Sequence, residues 1–216
     1  KFCIMATGCL STLNHPNFKN LKDFKGEVYH TGNWPKHKVD LKNKVVGIIG
    51  TGSSAIQCIP EIIKEVKHLY VFQRTPHYTV PARNASLKYL RGKNKKHMRE
   101  PIGYDNDLYV EEIKHNYSKF RLKAQNSVAA MALPLNQQSA LEVSEKVRNT
   151  TYEERWSKGG VPFIAAFDDL NFNREANETA AKFVRNKIKS LVKDTHIAEL
   201  LTPDYPIGCK RLAVDS

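Results

Sequence analysis

A chain of 216 residues with 41% hydrophobic side chains is long enough for one large domain, or for one domain carrying an insertion, around a packed core. No apolar run approaches the roughly 20 residues that a membrane-spanning helix needs. The formal charge of +12 is densest over residues 36–44 and 88–99. No nucleic-acid recognition motif accompanies it, so it reads as solvated lysine and as positive potential for an anionic small molecule rather than as a nucleic-acid surface.

Residues 1–8 read as a strand ending at Ala6-Thr7-Gly8, and Asn14-His15-Pro16-Asn17 signals a turn. The chain opens at Lys1 without a signal-peptide pattern and stops in mid-pattern at Ser216, which reads as an internal piece of a longer protein. Its four cysteines, at 3, 9, 58 and 209, form no CxxC pair. Zinc or dithiol chemistry is therefore not expected, and reduced thiols in a cytoplasmic setting are.

Residues 18–43 read as irregular, with a short extended piece at 27–30. The run from Lys44 to Gly50 is apolar and rich in β-branched residues, the pattern of a parallel strand buried on both faces. A helix follows over 53–66, with Ile56, Ile59, Ile62, Ile63 and Val66 at helical spacing. Pro60 predicts a kink or break inside it. Leu69-Tyr70-Val71-Phe72 completes a βαβ unit. From about residue 84 helical periodicity takes over, with predicted helices at 105–126, 139–158, 173–194 and 197–201. Asn173 is a good N-cap for the third of these.

Gly50-Thr51-Gly52-Ser53-Ser54-Ala55 fits G-x-G-x-x-A between a predicted strand and a predicted helix. Gly50 permits the tight turn, Gly52 lets a pyrophosphate approach the backbone, and Ala55 lets the helix pack closely. Free N–H groups at the helix start favour phosphate. The bland alternative is a glycine turn without a ligand. An NAD site places an acid at the end of the second strand. Here the strand ends at Phe72-Gln73-Arg74-Thr75. The guanidinium of Arg74 and the hydroxyl of Thr75 suit a 2′-phosphate, which makes NADPH the expected dinucleotide. Arg74 as a plain surface arginine is the competing reading.

The stretch Phe24-Lys25-Gly26-Glu27-Val28-Tyr29-His30-Thr31-Gly32-Asn33-Trp34-Pro35 fills every fixed position of F-x-G-x-x-x-H-x-x-x-W followed by Pro. It resembles the fingerprint of the Baeyer–Villiger monooxygenases. Arg74-Thr75-Pro76 with Tyr78 and Pro81 resembles that family's segment after the second strand. Tyr205-Pro206-Ile207-Gly208-Cys209-Lys210-Arg211 resembles the segment carrying its active-site Lys-Arg pair.

The resemblance implies an α/β, Rossmann-like FAD/NAD(P)-binding domain of three layers interrupted by a helical insertion. Residues 1–35 would end the FAD domain and carry the linker with the fingerprint. Residues 36–84 would begin the NADP domain, 85–202 would be the insertion, and 203–216 would return to the NADP domain. It further implies that Gly50, Thr51, Gly52, Ser53, Ser54 and Gln57 line the NADP pyrophosphate and ribose region, with Ala55 in the same cofactor-binding turn. Arg74, Thr75 and Lys210 would hold the 2′-phosphate, Arg211 would be the catalytic arginine, and Thr7 and Gly8 would lie near the flavin. Phe24, Gly26, His30, Trp34 and Pro35 would be the fingerprint residues, with His30 and Trp34 organising the hinge between domains, although ordinary packing explains His30 and Trp34 equally well. A phosphate contact beside Lys210 is likewise the plain alternative for Arg211.

The implied reaction is NADPH- and FAD-dependent insertion of one atom of O2 next to a ketone carbonyl, giving an ester or lactone. The N-terminal G-x-G-x-x-G that would hold the FAD adenosine half is absent from these residues, so the piece alone is expected to be inactive. Two alternatives stand beside this reading: a flavin monooxygenase oxidising nitrogen or sulfur, against which Trp34-Pro35 and the long insertion argue, and a non-catalytic NADP-binding module.

Overall fold

The computed structural model describes Phe2, Cys3, Met5, Gly8 and residues 12–81, 114–126 and 136–215. Thr7, the basic run at 88–99 and the first part of the helix predicted at 105–126 lie outside the described residues.

β-Branched and apolar residues build β1 (Val45–Ile49), which pairs in parallel with β2 (His68–Phe72), Val45 opposite His68 and Ile49 opposite Phe72. Backbone bonds from Lys67 N to Lys44 O (2.9 Å) and from Gly50 N to Phe72 O (2.8 Å) extend the ladder at both ends. Between the strands lies α1 (Ser53–Ile62), packed on β1. Parallel pairing around an intervening helix is the βαβ arrangement that the sequence predicts.

Three expectations need correction here. β1 is not buried on both faces. Val46, Ile48 and Leu69 are half-buried, while Val45, Ile49, Tyr70 and Phe72 are exposed on the other face. A parallel strand is dry on both sides only where layers cover both, and the described residues cover one. Secondly, α1 does not break at Pro60 but continues through it and stops at Ile62, so it does not reach 66. The bond to Ile56 O that proline cannot donate falls in the last turn, and Ile63 N and Val66 N close the end onto Ile59 O and Ile62 O. Thirdly, Phe2, Cys3, Met5 and Gly8 lie in no strand, and Phe2 and Met5 are exposed. Among the described residues no strand pairs with this stretch, and an apolar run without a ladder has no reason to stay extended. The piece at 27–30 is also outside any ladder.

A second parallel ladder joins β3 (Thr79–Pro81) to β4 (Ala213–Asp215), with Thr79 opposite Ala213. β4 also packs against α1. Between these strands run α2 (Tyr117–Gln125), α3 (Glu145–Lys158), a 3-10 turn at Val161–Ala165, α4 (Arg174–Leu191) and α5 (Thr195–Leu200). Side chains cap three of the helices: Ser144 accepts from Val147 N, Asn173 from Glu175 N and Ala176 N, and Asp194 from Ile197 N. α3 begins at Glu145 rather than at 139. Asp169 takes the Ser139 hydroxyl at 2.6 Å and the Ala140 N–H at 3.0 Å, which commits that stretch to a turn.

The core lies on the helical side. Tyr152 is fully buried among Phe163, Phe167 and Phe183, with ring centroids 5.4–5.7 Å away, and its hydroxyl meets Thr179 Oγ1 at 2.6 Å. Ala176, Ala180 and Ala181 give α4 a small-residue face that reaches the same cluster, which also takes in Tyr78 beside β3, Val80 within it and Leu212 beside β4.

Candidate dinucleotide site

The turn from β1 into α1 is open on the side a ligand would approach. Gly50 has φ +98°, which glycine alone adopts without strain. Gly52 has φ −74° and ψ 178°, which any residue adopts. A Cβ built on Gly52 meets no atom within 4 Å, so nothing in the described fold demands glycine there. Close approach of a bound group is the remaining physical reason for it. Gly52 caps α1 without a side-chain acceptor, and Ile56 N makes the first helical bond to Gly52 O. The N–H groups of Ser53, Ser54 and Ala55 precede that bond and, among the described residues, are the unpaired donors of the first turn. Ser53, Ser54 and Gln57 are exposed, whereas Ala55 is buried.

Two hydrogen bonds bring the end of β2 to this turn: Gly50 N to Phe72 O at 2.8 Å, and Thr51 Oγ1 to Thr75 O at 3.5 Å. Thr51 and Thr75, predicted as neighbours of one ligand, are therefore neighbours of each other. Arg74 lies between those two anchors, exposed, and takes no hydrogen bond or ion pair with the described residues. Its charge is available to a ligand.

The segment 203–212 returns to the same place. Gln73 Nε2 donates to Leu200 O (2.8 Å), Tyr205 Oη donates to Pro76 O (3.0 Å), and Tyr78 Oη donates to Tyr205 O (2.8 Å). Asn177, the buried polar residue of α4, donates to Leu170 O and Ile207 O at 2.8 Å and accepts from Ile207 N at 3.0 Å. Lys210 and Arg211 follow, both exposed, and lead into β4. Because β3 and β4 are parallel, the residues after Arg74-Thr75 and the residues around Lys210-Arg211 enter their ladder from one end. Tyr78, Asn177 and Tyr205 carry this assembly, yet sequence reasoning gave them no role. Tyr78 and Tyr205 stood inside recognised motifs, but nothing in their spacing announces reciprocal hydrogen bonds.

No family model matches the chain. Over 205 residues, 94% of its length, it is 38% identical to a Baeyer–Villiger monooxygenase of Pseudooceanicola batsensis. The chain is a relative of the Baeyer–Villiger monooxygenases. It spans about a third of the length of the curated relatives it matches, 34% in that case. A cyclohexanone monooxygenase of Rhodococcus sp. Phi1, solved bound to NADP+, is 34% identical and superposes with a TM-score of 0.81 over 96% of this chain and 36% of that one. A phenazine N-monooxygenase of Lysobacter antibioticus is 33% identical over 94% of the chain and 34% of its own length. The solved relatives have an FAD/NADP-binding fold, and the mixed helix and strand of this chain follows it.

The stretch from Phe24 to Pro35, which resembles the Baeyer–Villiger fingerprint, forms a local structure of its own. The Phe24 ring lies over Gly26, where a Cβ would meet its carbons at 2.6 Å. His30 Nδ1 accepts from Gly32 N at 3.0 Å and caps the 3-10 turn Thr31–Asn33. Trp34 stacks obliquely on Tyr29 at 5.6 Å and stays partly exposed, and Pro35 is half-buried beside it in sequence. Lys44 Nζ bonds Glu27 at 2.9 Å, which lowers the Glu27 carboxyl below its usual range and joins the fingerprint to the start of β1. The described contacts give His30 and Trp34 packing and capping roles.

Proposed function

We propose that the chain is the NADPH-binding part of an NADPH- and FAD-dependent monooxygenase that inserts one oxygen atom of O2 beside a ketone carbonyl to give an ester or lactone. The observation that carries this reading is the open glycine turn with Arg74 at its rim, exposed and without a hydrogen bond or ion pair among the described residues. The βαβ unit is then one part of a three-layer Rossmann-like sheet, with residues 85–202 inserted and 203–216 returning. The β3–β4 pairing supports that return.

The first-turn N–H groups of α1 hold the pyrophosphate, with Thr51 and Gln57 beside it. Arg74, Thr75 and Lys210 hold the 2′-phosphate, the guanidinium through two parallel N–H bonds. A bound flavin supplies the oxygen-activating chemistry. Gly8, at φ +75°, has the backbone freedom that close approach to such a ring requires, and Thr7 is its neighbour in sequence. Arg211 offers a charge that does not titrate and stabilises negative charge developing on oxygen. A reducing, cytoplasmic setting belongs to the same reading.

The test is a paired titration with NADP+ and NAD+. The wild-type protein prefers NADP+, and Arg74→Ala erases about 10- to 100-fold of that preference, the range for a charged hydrogen bond of about 1.5–3 kcal/mol. A variant that still discriminates fully refutes the clamp. The similarity to a phenazine N-monooxygenase favours N-oxidation as the second reading. Offering the full-length parent enzyme, loaded with its cofactors, a cyclic ketone and a tertiary amine separates the two.

A further inference from the structure

We propose that Tyr205 is a positioning residue for cofactor choice: its ring holds the Lys210 ammonium in place for the 2′-phosphate without touching the phosphate itself. This rests on Lys210 being a phosphate ligand.

Tyr205 is fixed at two points. Its hydroxyl donates to Pro76 O (3.0 Å), two residues past Arg74, and its own carbonyl accepts from the Tyr78 hydroxyl (2.8 Å). The two rings meet edge to face at 5.3 Å, and Tyr78 is buried in the core that α4 organises. A ring anchored in this way cannot swing with the surface. Lys210 Nζ lies 4.9 Å from the centroid of that ring, inside the roughly 6 Å range of a cation–π contact, while the lysine itself is exposed. An unrestrained lysine loses rotamer freedom on binding an anion, and a ring face that already holds the ammonium removes part of that loss.

The predicted effect is selective. An exposed cation–π contact corresponds to about a two- to five-fold change in affinity. Tyr205→Leu therefore lowers the NADP+ over NAD+ preference by about that factor and leaves NAD+ affinity unchanged, and Tyr205→Phe, which keeps the ring, retains most of the preference. In a Lys210→Ala background Tyr205→Leu produces no further loss, because the tyrosine acts through the lysine. A structural role alone gives additive losses and weakens both dinucleotides together, which overturns the proposal. Should Tyr205→Leu not fold, the wild-type protein still decides. The Lys210 side-chain methylene protons are shifted upfield by the ring current if the contact forms, and random-coil shifts overturn it. A wild-type protein without NADP+ preference sinks the site itself; a preference that Tyr205→Leu leaves intact sinks only this inference.

Discussion

At the scale of single residues, the two glycines of the turn do different work, and the difference can be measured. Gly50 is bound to its place by backbone shape, since φ +98° strains every side-chain-bearing residue. Gly50→Ala should lower stability by about 1–3 kcal/mol. Gly52 has an ordinary φ and open space around its missing Cβ. Gly52→Ala should leave the unfolding midpoint in urea unchanged and weaken dinucleotide binding. Loss of stability in Gly52→Ala without loss of binding would mean that the glycine serves the fold and not a ligand. The sequence motif assigned the tight turn to Gly50 and close approach of a pyrophosphate to Gly52; what the fold adds is the dihedral, left-handed at Gly50 and ordinary at Gly52.

Among the secondary-structure elements, periodicity and caps were legible and extent was not. β1, α1 and β2 were readable from a β-branched run, a glycine turn and helical spacing, and α4 from its Asn173 cap. The start of α3 was hidden because Asp169, about 30 residues away in sequence, draws Ser139 and Ala140 into a turn. Burial of β1 on both faces was misread because a near-continuous apolar strand reports the layers it expects, not the layers that the described residues supply. The link from α4 to the return segment was also invisible, since it rests on two single side chains: Arg185, whose Nε donates to Pro203 O at 2.8 Å, and Asn177. Asn177 satisfies two carbonyls and one N–H from inside the core. Asn177→Leu strands all three and should cost about 1–3 kcal/mol for each group left dry and unpaired. It should also weaken NADP+ binding, because Ile207 leads directly to Lys210. A variant with full stability, or one that loses stability but keeps wild-type affinity when folded, would show that α4 does not set the position of that segment.

For the whole molecule, the dinucleotide turn sits on the thinly buried βαβ unit, while stability resides in an aromatic core that reaches β3 and β4. Among the described residues of the βαβ unit only Ala55 is buried, whereas Tyr78, Tyr152, Phe163 and Phe167 are almost fully so. This arrangement predicts how the protein responds to alkali. Burial raises the ionisation of Tyr152, Tyr78 and Tyr205 above the ordinary value of 10.0. Arg148 near Tyr152 and Arg185 near Tyr78 act in the opposite direction, as does the Thr179 bond to Tyr152, but burial is the largest influence. An unfolded chain releases these protons at its ordinary tyrosine pKa and the folded chain releases them later, so the folded state binds more protons in that window. Stability is therefore full below about pH 10 and falls as the pH rises beyond it. Urea unfolding at about pH 9 and about pH 11, with tyrosinate absorbance followed in parallel, should show the midpoint dropping as the last tyrosines ionise. Tyr152→Phe removes one of the titrating groups. It should be less stable than wild type below pH 10, through loss of the Thr179 bond, and should lose less on going to alkali. A wild-type midpoint that stays level across that range would mean that these hydroxyls reach water in the folded protein, and the core would then be looser than the packing around Tyr152 describes.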